Sequence, residues 1–138
     1  MSKELKEIIE QLNTLGSNSF YDGIDKKKII DFEDKNNIRL PDQLKEFYLF
    51  SDGGEFFLPA GLQLYGILRE PIIDPNNTDR PSEKYVIIGN LSNGDPILCN
   101  SDNNEICIYN HEADTIENDE IYPDFKAFLS DLPNILGV

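Results

Sequence analysis

The chain predicts an α+β fold. A single domain over residues 1–138 should hold a mainly antiparallel sheet of about five to six strands, with N-terminal helices and a C-terminal helix packed against it. Three observations carry that expectation. Apolar residues recur at helical spacing through residues 3–50 and again near 125–132, whereas residues 55–109 read as strands and turns. Asn93-Gly94, set between two apolar runs, is the strongest short-range hairpin signal a sequence offers. The length of 138 residues, 39% apolar, with 8 Phe and 6 Tyr, is enough to bury a core without staples.

The first helix is expected over residues 3–15, where Leu5, Ile8, Ile9, Leu12 and Leu15 form an apolar stripe between a Ser2 cap and a Gly16 stop. A polar link with Phe20 and Tyr21 leads to a second helix from about Asp25 to Asn36, capped by Asp25, with Ile29, Ile30 and Phe32 facing inward. Lys26-Lys27-Lys28 at its start oppose the helix dipole and read as a solvated face. A short link makes the next helix its antiparallel neighbour.

That third helix has both ends written into it. Pro41 suits a first turn, and Asp42 sets negative charge at the positive end of the dipole. Leu44, Phe47 and Tyr48 share a face with Ser51, and Gly53-Gly54 supply the conformational freedom that ends a helix. Strands are expected near 55–58 and 62–67, joined by Pro59-Ala60-Gly61. Residues 70–84 lose all period and form a long loop, in which Asp74-x-Asn76-x-Thr78 departs from a calcium loop at Asp79 and Tyr85. Tyr85-Val86-Ile87-Ile88 is a β-branched run suited to a central buried strand. Pro96–Cys99 and Glu105–Tyr109 complete a three-strand meander. An acidic connection, with a weak strand near Thr115-Ile116, leads to a closing helix opened by Pro123-Asp124, whose buried face is Phe125, Phe128, Leu129 and Leu132.

Leu40-Pro41-x-x-Leu44-Lys45-x-Phe47 followed by Gly53-Gly54 resembles the signature of the SUKH superfamily, with Ser51-Asp52 standing where that family often has an Asn. The Asn93-Gly94-Asp95 turn and the Phe125-x-x-Phe128-Leu129 helix also sit where the family pattern puts them, so the resemblance covers roughly residues 25–132. Its members include bacterial immunity proteins and a fungal regulator of cell-wall synthesis. The resemblance therefore implies a protein-binding module rather than an enzyme.

Charge sharpens that expectation. The formal net charge is −14. Residues 1–50 carry eight Lys/Arg against ten Asp/Glu, whereas residues 101–138 carry nine acids against Lys126 alone. Such a surface repels nucleic acid and anionic membranes and speeds encounter with basic proteins, and it equally suits plain solubility, since charge patterning by itself states only a preference for partners. No apolar run is long enough to span a membrane, and the amphipathic N-terminus has no signal-peptide core, so the chain reads as cytoplasmic.

No signature of catalysis or of a cofactor appears: no Walker A, G-x-S-x-G, H-E-x-x-H or dinucleotide fingerprint. His111 stands alone in a polar turn and reads as a solvated surface residue, so no metal is expected. Cys99 and Cys107 flank the Asp102-Asn103-Asn104 turn, whose loop length decides whether they face each other. In either arrangement they read as core thiols in acidic surroundings, unsuited to nucleophilic work.

The partner implied is a basic toxin domain of nuclease type, occluded by a monomer or weak dimer. The candidate contact residues flank the sheet end: Asp52, Glu55, Asp95, Asp102, Glu105, Glu112, Asp114, Glu117, Asp119 and Glu120. Phe56, Phe57 and Tyr109 are candidate aromatic anchors, although adjacent strand residues point to opposite faces, which assigns at least one of Phe56 and Phe57 to the core. A regulatory or scaffold module without a toxin is the alternative. A carboxylate-using hydrolase is a third reading.

Overall fold

A computed structural model describes residues 1–59, 61–69 and 84–137. It is an α+β domain in which helices cover one face of an antiparallel sheet. The expected loop at 70–84, with its partial calcium-loop pattern, and Ala60 of the 59–61 turn lie outside the described residues, save Lys84.

The helices begin and end where side-chain chemistry dictates. In α1 (Lys3–Leu15) the Ser2 hydroxyl accepts from the Leu5 N–H at 3.3 Å. The Gly16 N–H closes the last turn on the Leu12 carbonyl at 3.2 Å. Gly16 itself is extended, and a Cβ there would lie 2.3 Å from the Phe57 ring, so close packing rather than a left-handed turn requires the glycine. Asp25 caps α2 (Lys26–Asn36) through Lys28 N–H, and Asn37 ends it in the left-handed conformation. The third helix, α3 (Asp42–Phe50), buries Leu44, Phe47 and Tyr48. Two apolar residues expected inside are outside: Leu15, in the last turn of α1, is 50% exposed, and Ile30 on α2 is 44% exposed, whereas Ile29 is buried and Phe32 packs against the core as expected.

The strands follow one another across the sheet in chain order: β1 (Ser19–Phe20), β2 (Gly54–Phe56), β3 (Leu62–Leu64), β4 (Tyr85–Leu91), β5 (Pro96–Asn100), β6 (Ile106–Ile108) and β7 (Ile121–Tyr122). The seven strands among the described residues exceed the expected number because the two edge strands are two residues long, too short for any alternation to show. β4 lies at the centre, as its β-branched run predicts, and an irregularity between Ile87 and Gly89 keeps both Ile88 and Leu91 on the helix side.

Beyond β7 the closing helix is two pieces, α4 (Phe125–Ser130) and α5 (Leu132–Leu136). Pro133 has no N–H for the next turn, and Asp131 leaves helical geometry at the junction. The weak strand expected near Thr115 is a single bridge between Asn110 and Thr115.

One core unites the helices with the sheet. Phe47 lies at its centre, its ring 5.7 Å from Phe125, 5.9 Å from Phe50 and 6.2 Å from Phe56. Tyr48 is buried beside it and donates its hydroxyl to the Tyr65 carbonyl at 2.8 Å. A smaller cluster of Ile87, Leu98, Cys107 and Tyr109 lies on the other face, and no helix residue belongs to it. Register explains the split of the two cysteines. Cys99 pairs with Ile106 and Cys107 with Leu98, so the thiols point to opposite faces and both remain free. Burial above all pushes each up to about 12, helped at Cys99 by Cys107 and at Cys107 by Glu105. Neither is a usable nucleophile near neutral pH.

Candidate functional site

On the sheet face that no helix covers, β2 to β4 carry polar side chains beside the buried cluster of Ile87, Leu98, Cys107 and Tyr109. Cross-strand register aligns Glu55 of β2 with Gln63 of β3, Gln63 with Asn90 of β4, and Asn90 with Pro96 of β5. Phe56, Leu62, Leu64 and Leu91, their neighbours along the strands, enter the helix-side core. A groove of about 300 Å³ adjoins this polar row, lined also by Leu58 and Pro59 and by Gly61, Ser92 and Gly94 at the strand ends, where the Ser92 N–H donates to the Gly61 carbonyl at 2.9 Å. Leu58 is 42% exposed, and the Leu58–Pro59 peptide bond is cis.

The groove adjoins an acidic end of the sheet. The Asn93-Gly94-Asp95 turn joins β4 to β5, and the segment after β6 returns to it. There the Asp95 carboxylate accepts from the His111 backbone N–H at 3.2 Å and lies 2.5 Å from His111 Nδ1. The imidazole lies over Gly94, where a Cβ would come within 3.3 Å of the ring. His111 is therefore partly buried and bonded, not the freely solvated residue expected from its polar turn. Asn110 shapes the turn beyond β6: its backbone pairs with Thr115, while its side-chain oxygen accepts from the Glu112 and Ala113 N–H groups, each at 3.1 Å. The Tyr109 hydroxyl donates to Asp114 at 3.3 Å. These bonds fix the backbone that carries Glu112, Asp114 and Glu117, all exposed.

Electrostatics confirm that these acids are neighbours. The Glu120 carboxyl is held above its ordinary value by burial first, then by Asp119, Asp95 and Glu117. Residues 85–125, which supply β4 to β7, contain no Lys or Arg. The next cation, Lys126, is turned inward, its Nζ 3.8 Å from Glu4 and 3.9 Å from Glu46. Glu46, pushed up by burial, is nonetheless held below its ordinary value by bonds to Ser2 and by Lys126. Apart from His111 against Asp95, no basic side chain is paired with the acidic end among the described residues.

The expected contact residues divide into four groups. Asp95, Glu112, Asp114, Glu117, Asp119 and Glu120 come together at this end. Glu55 lies in the adjoining groove. Asp102 and Glu105 occupy the β5–β6 turn at the opposite end of the sheet, because a meander sends alternate turns to opposite ends. Asp52, Phe56 and Tyr109 are buried, as is Phe57. Asp52 is structural: its carboxylate accepts from the Ile67 N–H at 2.5 Å and the Leu68 N–H at 2.9 Å. A Cβ at Gly66 would lie 2.4 Å from that carboxylate, so the turn after α3 and the chain after β3 lock together. Phe56 is wholly inside the helix-side core, and Tyr109 presents its hydroxyl to Asp114 rather than its ring to solvent.

Gln63, Asn90 and the groove they floor are missing from the sequence expectation. The alternation Leu62-Gln63-Leu64 was the available signal, since it sends the glutamine to the face opposite the two leucines. Among the described residues, no group of three or more His, Cys, Asp or Glu side chains is arranged to hold a metal ion, and no helix is long and apolar enough to cross a membrane.

The model of the SMI1 / KNR4 family (SUKH-1) matches residues 23–131, most of the chain. The chain belongs to that family. The SUKH-1 match begins after α1 and β1 and ends at the α4–α5 junction, so it includes α3, its Ser51-Asp52-Gly53-Gly54 turn and the whole acidic end. In this SUKH-1 domain the signature turn is a folding device: Ser51 Oγ accepts from the Tyr21 N–H at 2.9 Å and donates to the Gly53 carbonyl at 2.5 Å. No curated protein matches the chain significantly.

Proposed function

We propose that this SUKH-1 domain is an immunity protein that binds a basic toxin domain of nuclease type and occludes its active face, without catalysis of its own. Family membership is consistent with that role. The observation that carries the reading is the exposed acidic end, built from chain that holds no Lys or Arg between residues 85 and 125. A cleft that binds phosphates is lined with Lys and Arg, and a fixed array of carboxylates can occupy it as a phosphate backbone would. The hydrogen bonds of Asn110 and Tyr109 hold part of that array in place before contact, which reduces the ordering cost of association.

The test is whether a basic toxin domain is encoded beside this protein and, with that domain, association measured by stopped flow across a salt series. The association rate should fall at least about tenfold between low and high ionic strength. A variant carrying Glu112→Lys, Glu117→Lys and Asp119→Lys should fold normally, associate more slowly at low salt and fail to protect cells expressing the toxin. Full protection by the charge-reversed variant, with a salt-independent rate, would instead favour an apolar scaffold contact.

A further inference from the structure

Among the described residues, Glu55 is the one acid of this face that lines the groove, and its surroundings differ from those of the acidic end. It is partly buried, its backbone lies in the ladder between Ser19 and Gln63, and its carboxylate forms no hydrogen bond or ion pair among the described residues. Beside it on the groove floor stand the side-chain amides of Gln63 and Asn90, placed there by register. The wall is apolar at Leu58 and Pro59, with Leu58 exposed. The space is therefore amphipathic: an apolar side at Leu58 and Pro59, and a polar side with two carboxamide side chains and one carboxylate.

We propose that this groove is a binding site for a single arginine side chain of the partner protein. The methylene stem would lie along Leu58 and Pro59, and the guanidinium would donate to the Glu55 carboxylate and to the amide oxygens of Gln63 and Asn90. Arginine fits this chemistry better than lysine. Its planar head offers five donors in a fixed fork and sheds water more readily, whereas an ammonium is a compact, strongly hydrated charge. Long cationic side chains bury their stems on apolar surface while the head stays polar, which is the gradient the groove presents. Position supports the assignment. Gly94 belongs both to the groove wall and to the turn under His111, so the groove opens beside the acidic end. A basic surface drawn to that end would meet the groove at its edge, where a part-desolvated charge pair makes a strong anchor.

This assignment deepens the toxin-binding reading and rests on it for the identity of the partner, but its test needs no toxin. The probe is N-acetyl-arginine amide, titrated into the isotope-labelled full chain and followed by NMR. The backbone and side-chain amides of Gln63 and Asn90 and the backbone amide of Gly94 should shift saturably. N-acetyl-citrulline amide, the neutral isostere, and N-acetyl-lysine amide should each bind about tenfold more weakly, the difference expected for loss of a charge-assisted fork. Glu55→Gln should abolish the arginine response with the rest of the spectrum unchanged, while Glu117→Lys should leave it in place. Equal binding of citrulline or lysine amide, or shifts confined to residues 112–120, would overturn the assignment. If the arginine response holds but the adjacent toxin is not bound, the groove stands and the toxin reading fails.

Discussion

On the helix-covered face, strands β2 to β6 supply Phe56, Leu62, Leu64, Ile88, Ile97 and Ile106 to a core that closes around Phe47. On the open face, β2 to β4 carry Glu55, Gln63 and Asn90, and the turn after β4 carries Asp95. Each strand serves both faces, because successive residues point to opposite sides. The contrast separates two uses of negative charge. Asp52 is buried and satisfied by two backbone N–H groups, so its charge serves folding. Glu112, Glu117 and Asp119 are exposed, and no Lys or Arg occurs between residues 85 and 125 to neutralise them; their charge faces solvent.

The largest way to break that contrast is at its apolar centre. Phe47→Ala would remove a wholly buried ring that meets Phe20, Tyr48, Phe50, Phe56 and Phe125. The expected loss is about 3–5 kcal/mol, a large share of the stability of a domain this size. Urea unfolding would report it as a fall in midpoint. A loss under about 1 kcal/mol, below the range for a buried aromatic ring, would mean that the helix-side core is not the main support of the fold.

Asp52→Ala comes next. It strips both acceptors from the Ile67 and Leu68 N–H groups and should cost about 1.5–3 kcal/mol, the range for hydrogen bonds to a charged group. Binding to a basic partner should be unchanged once the variant is folded. A variant of full stability with weakened binding would move Asp52 from the folding acids to the contact acids.

How much of the fold and the site is legible in the sequence differs by residue, for physical reasons. The caps at Ser2 and Asp25, the buried Leu44, Phe47 and Tyr48, and the Asn93-Gly94 hairpin are local: each follows from a few adjacent residues. The two edge strands depend on pairing with distant chain, Ser19 with Glu55 and Ile121 with Cys107, so nothing within two residues announces them. Among the acids, composition shows that the C-terminal third is negative but not where each carboxylate points. Asp102 and Asp95 look alike in the sequence, each in a polar turn between strands. Only the direction of the meander puts them at opposite ends. Asp52 reads as a surface acid beside two glycines, and the close approach of Gly66 is what encloses it.

Glu120 gives the smallest effect and the most discriminating one, because here stability and binding should move in opposite directions. Its carboxyl is held above the ordinary value of 4.5 by burial, and further by Asp119, Asp95 and Glu117. A carboxyl raised in the folded state holds its proton more tightly there than in the unfolded chain. Its favourable contribution is therefore complete below pH 4.5 and is lost as pH rises through the folded value. At neutral pH the ionised Glu120 opposes folding. Glu120→Gln should raise the melting temperature at pH 7 by roughly 2 °C, as expected for a few tenths of a kcal/mol. The difference from the parent should vanish in acid, where the glutamate is protonated in both states. The same change should weaken attraction to a basic partner, since it removes a charge from the acidic end. Melting curves across pH decide the stability half of the matter: a lower melting temperature at pH 7 would mean that the acids at this end are not crowded at a cost to stability.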